Sequence, residues 1–434
     1  MTRVILLLLS APFALRIVLY AVRIIRVRQY LMRRTTSMPQ GGTRDGGLRT
    51  TLLILVPVLR EQSVIARTLE HFRAMDLAAI DLRVMIVGTC REVRTHGSST
   101  LDVVSNWVNS AAGKIPQNVR VDYCEAKDVG GDRASQLNWA VRRAGEIGWT
   151  DWKVVGVYDA DSLPSRDSLV EVTKAFSSIP GLDACQQPAR FVRAANMMAQ
   201  NGENPVLVAN ALYQDTWTVI NELPMWIGYS GKSFLGQGSC RHLYFIGHGE
   251  FLSRSAYEKF QFPEGEVTDG IQLGYRLGLS GAFAIPLPVF CEDDVPHSLR
   301  VLIKQHKRWF GGCMNLFSAY KSMGGYRGVR PILQMFDGLW SQARWAWTSL
   351  SFLLLLGASA GLDLVVFSTL CAFGLIYSYV FPILSHFVMK ANLNVRVIDW
   401  LCLPIAIFVK SIGPNIYFAE RITSKSVRYE KVER

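Results

Sequence analysis

Charge is scarce in this chain: only 19% of its 434 residues are charged, while 50% are hydrophobic. With mean hydropathy above zero, that balance excludes a disordered chain, which needs many charges and few apolar groups. The eight cysteines, at positions 90, 124, 185, 240, 291, 313, 371 and 402, never form a CxxC pair or a clustered ligand spacing. A zinc site and a disulfide scaffold are therefore excluded, and the cysteines read as reduced, mostly buried thiols. There is no internal repeat, and the one biased stretch is a Gly-, Thr- and Arg-rich segment over 35–49, so a solenoid is excluded as well. What charge there is sums to +12 and collects beside apolar stretches, at Arg23–Arg34 and in the last fourteen residues. That is the placement of membrane-adjacent charge, and no nucleic-acid partner is expected.

The length exceeds what one compact domain needs, and the apolar runs lie at both ends. Val4–Ile25 is apolar apart from Arg16, Arg23 and a few small polar residues. About 22 helical residues at ~1.5 Å each cross a hydrocarbon core of ~30 Å, so a membrane helix is expected, with a cleaved signal peptide as the alternative. The basic cluster after it (Arg23, Arg26, Arg28, Arg33, Arg34) favours the cytoplasmic side. The chain divides into an N-terminal membrane helix with its basic flank (1–34), a linker (35–49), a cytoplasmic domain (50–312) and a C-terminal membrane region (313–434). Within the last, Trp345–Ala360 and Leu364–Val388 read as a membrane hairpin. Ile398–Ala419 contains Lys410, Gly413 and Pro414; a crossing there would put the basic tail outside, so a re-entrant or interfacial segment is expected. A multi-pass protein of the cell membrane follows.

Inside the domain, short runs rich in Val and Ile at Leu52–Val56, Val84–Val87, Val119–Tyr123 and Val154–Tyr158 read as buried strands. Stretches with helical apolar spacing separate them: Val64–Met75, Leu101–Ala111 and Ala134–Ile147. Alternating strands and helices predict an α/β, Rossmann-like, mostly parallel sheet. Ligands then sit beyond the carboxyl ends of the strands, after Val56, Val87 and Tyr158.

Asp159-Ala160-Asp161 follows the fourth predicted strand. Two carboxylates one residue apart at that edge suit a hard divalent cation beside a diphosphate. Further on, Gln305-His306-Lys307-Arg308-Trp309 lies on an amphipathic stretch that also reads as an interfacial helix. Arg308 suits a leaving diphosphate, and Trp309 offers a flat face to a sugar ring.

These signals, in this order and between membrane helices, resemble the membrane-embedded family-2 inverting glycosyltransferases that include cellulose, chitin and hyaluronan synthases. Leu55-Val56-Pro57-Val58-Leu59-Arg60-Glu61 looks like that family's opening strand and nucleotide-contacting loop. The segment Gly131-Asp132-Arg133-Ala134-Ser135-Gln136-Leu137-Asn138 is similar to its Lys-x-x-x-Leu-Asn, with Arg133 for Lys. Asp159 and Asp161 match its DxD, Gly247-His248-Gly249-Glu250 its acceptor-site floor, and Gln305, Arg308 and Trp309 its QxxRW. The resemblance implies a GT-A-type fold, a nucleotide-sugar donor (commonly a UDP-sugar) with Mg2+ or Mn2+, and a glycan or lipid-linked acceptor. It implies donor contacts from Pro57, Glu61, Arg133, Asn138 and Arg308, and acceptor contacts from His248, Gly249, Gln305 and Trp309.

Two positions depart from the pattern. The Asp expected near the end of the second strand is missing from Ile86-Val87-Gly88-Thr89-Cys90-Arg91-Glu92, and the family's Thr-Glu-Asp reads Thr268-Asp269-Gly270. Asp269, shifted by one, is then the expected base; the alternative is an N-cap of the following helix. Glu266 and Glu292-Asp293-Asp294 are the substitutes. The expected reaction is one in-line displacement with inversion. Its outcome is either processive synthesis of a β-linked polysaccharide, with a homodimer or accessory export protein completing a pore, or transfer of one sugar to a lipid-linked acceptor. The alternative from another class is a non-catalytic sugar-binding membrane scaffold.

Overall fold

The computed structural model describes residues 2–36, 50–75, 77, 80–92, 98–111, 114–126, 132–233, 236–237, 240–323 and 328–423. Most of the expected linker and the basic tail after Thr423 lie outside them. The N-terminal helix runs Thr2–Thr36, so the first two residues assigned to the linker are helical.

Seven strands form the central sheet: β1 (Thr50–Pro57), β2 (Ile80–Thr89), β3 (Val119–Ala126), β4 (Val154–Val157), β5 (Ala184–Gln186), β6 (Glu250–Ser253) and β7 (Ala284–Pro286). Their order is β7-β5-β6-β4-β1-β2-β3. The pairs of β1 with β2 and β4, of β2 with β3 and of β5 with β7 are parallel. Only β6, between β4 and β5, is antiparallel among them. Helices cover both faces, and Leu52–Val56 in β1 are fully buried. That explains the unbroken apolar run: a central strand has no solvent face on which to alternate. The four long runs expected as strands are β1 to β4. The sequence reading did not identify β5, β6 and β7, which are three or four residues long.

Asp132 caps the helix Arg133–Glu146, Ser165 caps Arg166–Ser178, and Ser298 caps Leu299–Met314, each accepting a backbone N–H of the first turn. After β5 the chain builds helices Val192–Gln200, Pro205–Trp217 and Leu223–Ser230, the last two joined by a π-helical turn over Thr218–Glu222.

Among the described residues, three helices are long and apolar enough to cross a membrane: Arg3–Met32, Val329–Leu362 and Leu364–Val388. Their outward side chains, Leu8, Leu354 and Phe387 among them, are exposed, as expected of groups meant for lipid. The first helix also grips the sheet domain: Arg23 donates to Ile220 O at 3.0 Å and Tyr30 to Pro286 O at 2.6 Å. Helix Leu403–Ile422 lies against Leu299–Met314, where Lys307 and Glu420 pair at 2.6 Å.

Candidate active site

At the carboxyl ends of β1 and β2 the polar groups hold the loops. Pro57 stands opposite Val87, and Gln136 donates to Val58 O at 3.1 Å and Val87 O at 2.7 Å. The backbone of Glu61 is fixed by its N–H donating to Thr100 Oγ1 at 3.0 Å. Glu92, in the segment that lacks the expected Asp, accepts from Arg60 N, Gln62 Nε2, Thr100 N and Thr100 Oγ1. Its carboxylate closes the loops upon one another. Asn138 is also fully engaged. It donates to Phe262 O (2.9 Å) and Glu264 (2.8 Å), and accepts from Phe262 N (3.1 Å) and Tyr257 (3.3 Å). Having used two donors and two acceptors, it has none left for a ligand, and it is a loop clamp rather than a donor contact.

Beyond β4 the arrangement differs. The Asp159-Ala160-Asp161 turn is held by Thr68, whose hydroxyl donates to Ala160 O at 2.5 Å. Asp161 is 3% exposed. Arg133, from the head of its helix, donates to Asp159 at 3.0 Å, to Asp269 at 2.7 Å and to Gly247 O. Burial alone would lower its pKa, but Asp269, Asp159 and Glu250 together raise it above the ordinary value, so it is a fixed cation. Arg308 faces the same carboxylates. Burial lowers its pKa, Asp159 and Asp269 oppose that, and its Nε is buried without a hydrogen-bond partner among the described residues. Asp293 Oδ1 is buried in the same condition, with a pKa raised by burial and by Asp159. His248 lies 3.4 Å from Asp293, and burial lowers its pKa, keeping the imidazole neutral.

The opposite side of the site rests on helix Asp269–Ser280. Its N-cap is Thr268, and Asp269 sends its carboxylate to Arg133 rather than to the helix's own N–H groups, which corrects the N-cap reading. Gly270, Gly274 and Gly278 form one stripe on this helix, and backbone 243–247 lies along it. A Cβ on Gly274 would be 2.4 Å from Tyr244 Cα, so only glycine allows that approach. Gly249 has φ +59°, the turn that brings the chain into β6. The QxxRW helix docks here through Gln272, which donates to Gly312 O at 3.1 Å. Gln305 is buried, and Trp309 packs its ring 5.7 Å from that of His306.

Asp159, Asp269, Arg133 and Arg308 thus share one site with His248, while Pro57 and Glu61 line the neighbouring loops. The sequence reading placed Glu250 in the Gly247-His248-Gly249-Glu250 segment but gave it no role of its own. It is the first residue of β6, 1% exposed, with neither carboxylate oxygen hydrogen-bonded among the described residues. The signal available was an acidic residue directly preceding the apolar pair Phe251-Leu252.

Among the described residues no group of three or more His, Cys, Asp and Glu is arranged to hold a metal. Asp159 and Asp161 nevertheless fit a hard cation whose remaining ligands come from a diphosphate, and the orphaned Asp293 oxygen marks the same pocket as built for positive charge.

No curated protein sequence matches the chain. Among solved structures, it is similar to the mannosyltransferase PcManGT from Pyrobaculum calidifontis in complex with GDP-Man and Mn2+. The identity is 18% and the TM-score 0.49, covering 92% of this chain and 98% of that one. S. aureus TarS 1–349 is similar at 11% identity and a TM-score of 0.44, covering 88% and 95%. The family model described as glycosyltransferase like family 2 matches residues 49–312, which is more than half of the chain and takes in the sheet, the DxD turn and the QxxRW helix. By that match the chain belongs to the family-2 glycosyltransferases.

Proposed function

We propose that this enzyme moves a sugar, with inversion, from a nucleotide sugar such as a UDP-sugar to a glycan acceptor at the membrane, extending a β-linked polysaccharide. The observation that carries this reading is the convergence on Arg133 of Asp159 from the DxD turn and Asp269 from the base motif, with Arg308 of QxxRW facing the same carboxylates.

Asp159 and Asp161 would hold Mg2+ or Mn2+, which neutralises diphosphate charge when bound. Arg308 supplies a desolvated cation toward the same leaving group. Pro57, Glu61 and Arg133 border the donor; His248, Gly249, Gln305 and Trp309 border the acceptor. Asp269 is the carboxylate that the base motif offers, and the acceptor's proton goes to the carboxylates gathered around Arg133. The basic flank of the first helix supports a multi-pass protein of the cell membrane with its catalytic domain in the cytoplasm.

A second reading, one sugar transferred to a lipid-linked acceptor, is favoured by a cavity of about 190 Å³ between the membrane helices, lined by Arg16, Trp217, Arg344 and Lys410 among others. Cations beside aromatic rings suit a lipid phosphate. Three spanning helices are also few for a polymer pore, so processive synthesis calls for a homodimer or an accessory export protein.

A screen of labelled UDP-, GDP- and dTDP-sugars with and without Mn2+, its products separated by size, tests the proposal. Metal-dependent incorporation as a ladder supports processive extension, and a single lipid-soluble product supports the second reading. Absence of transfer from every donor would leave a binding scaffold.

A further inference from the structure

The base position of the family's motif falls on Gly270, which has no side chain. A Cβ built there would stand 2.6 Å from both Cα and N of Gly247 and 2.9 Å from Glu250 Oε2. Backbone packing therefore forbids a carboxylate on residue 270, and a carboxylate reaches the same place from β6 instead. Glu250 is 1% exposed and its oxygens have no hydrogen-bond partner among the described residues. A carboxyl group buried in that condition is costly to a fold and is characteristic of a site that uses it. Asp269 is differently placed: one of its oxygens is already engaged by Arg133 at 2.7 Å, so its carboxylate is held as a partner of that guanidinium.

Resting on the glycosyl-transfer reading above, we infer that Glu250 is the catalytic residue that takes the acceptor's proton, from its place beside Gly270, while Asp269 is a positioning residue for Arg133. As the acceptor oxygen bonds to the anomeric carbon, its O–H bond breaks toward Glu250. The bond from that carbon to the diphosphate oxygen breaks with its electron pair leaving on the nucleoside diphosphate. Glu250 enters the step deprotonated and afterwards releases its proton to solvent.

The charged groups facing Glu250 are Asp269 from its helix, Arg133 from the helix Arg133–Glu146 and Asp159 from the turn after β4. Burial, then the charge of Asp269, pushes the Glu250 pKa up to about 8, with Arg133 opposing and Asp159 adding. A base with a pKa near the working pH is an effective one.

The test is kcat/KM against pH for the wild type, Glu250→Gln, Glu250→Asp and Asp269→Asn, with one nucleotide sugar at fixed Mn2+. The wild type should rise with pH along a limb above the ordinary carboxylate range. Glu250→Gln should lose about 10²-fold or more together with that limb. Asp269→Asn should keep the limb, moved to lower pH because a repelling charge is gone. Glu250→Asp should cut kcat about 10-fold with donor KM unchanged. The inference is overturned if Glu250→Gln keeps both turnover and limb, or if Asp269→Asn abolishes the limb. Should Glu250→Gln fail to fold, judged by lost nucleotide binding, a wild-type kcat in Glu250→Asp overturns it. A wild type that transfers nothing sinks the functional reading and this inference together, whereas an active wild type with an unaffected Glu250→Gln sinks this inference alone.

Discussion

At the carboxyl ends of β1 and β2, polar side chains close upon one another, as where Glu92 ties together Arg60, Gln62 and Thr100. Around β4 and β6, carboxylates from three separate elements instead face a common space, gathered by Arg133. The first region satisfies its polar groups internally and so behaves as scaffold. The second leaves Glu250, Arg308 and Asp293 with buried atoms unsatisfied among the described residues, an arrangement that a bound, highly charged ligand would complete. The placement of unsatisfied atoms therefore separates the chemical end of the site from its frame, although both ends belong to one sheet edge.

The sharpest way to break this contrast is to neutralise one carboxylate in each region. Asp161→Asn should lower metal-dependent transfer by roughly 10³-fold, since several kcal/mol of charge stabilisation are removed at 1.36 kcal/mol per tenfold. Initial rates across a Mn2+ titration measure it. If Asp161→Asn is no worse than Glu92→Gln, the division into chemistry and frame is mistaken.

Arg133→Met sharpens the contrast from the cation's side. Asp159 and Asp269 would face each other without their shared partner. Breaking a buried pair costs about 3–5 kcal/mol, and because the Arg133 side chain is 26% exposed the lower end, about 3 kcal/mol, is expected. Thermal unfolding in detergent reads this, and a melting point within a degree of wild type would show that the carboxylates do not depend on Arg133.

Next in size is Gly312→Ala, which tests whether the base-motif helix and the QxxRW helix form one unit. A Cβ on Gly312 would meet Thr268 Oγ1 at 1.8 Å and its Cβ at 2.8 Å. The helices must part, at about 1–3 kcal/mol, and Arg308 moves with them. Adding Thr268→Ala should restore part of both melting temperature and transfer; no restoration would place the strain elsewhere.

What could be read from the sequence follows the same divide. Leu52–Val56 and the apolar runs of β2 and β4 announce their strands because burial on both faces leaves a local signature, whereas β3, an edge strand with Arg120, Tyr123 and Glu125 exposed, is legible from its Val-rich composition. The DxD turn was legible because it directly follows such a run. Strands β5, β6 and β7 hold three or four residues each; unlike the equally short β4, which is all apolar but for Gly156, they are interrupted by Gln186, by Glu250 and Ser253, and by Pro286, so no apolar run marks them. The helical stretch over 205–230 is apolar nearly all round, since it is buried between sheet and membrane helices, so it carries no amphipathic stripe. Arg133 was found by motif, yet its bridge joins residues 136 positions apart, and no local pattern encodes that. Asn138 was misread for a related reason: its four partners sit near 257–264, so the residue type is visible in the sequence but its use is not. Glu250 was read only as the end of the Gly247–Glu250 segment, because one acidic residue before a short strand is ordinary, and it acquires a role of its own only against Gly270.

The smallest effect belongs to the frame. Glu92→Gln keeps the side chain's length and one acceptor oxygen, but turns an amide NH2 toward donors. Arg60 N lies 3.1 and 3.0 Å from the two Glu92 oxygens, so one of those contacts becomes donor against donor. The segment is partly exposed and water can take the place of a lost partner, which holds the loss to about 1 kcal/mol. Turnover at saturating donor should stay within about twofold, with donor KM rising modestly as the loops after β1 and β2 loosen. A collapse of kcat would mean that Glu92 acts on the donor directly, replacing the Asp absent from the end of β2, and the region described here as frame would have to be counted as chemistry.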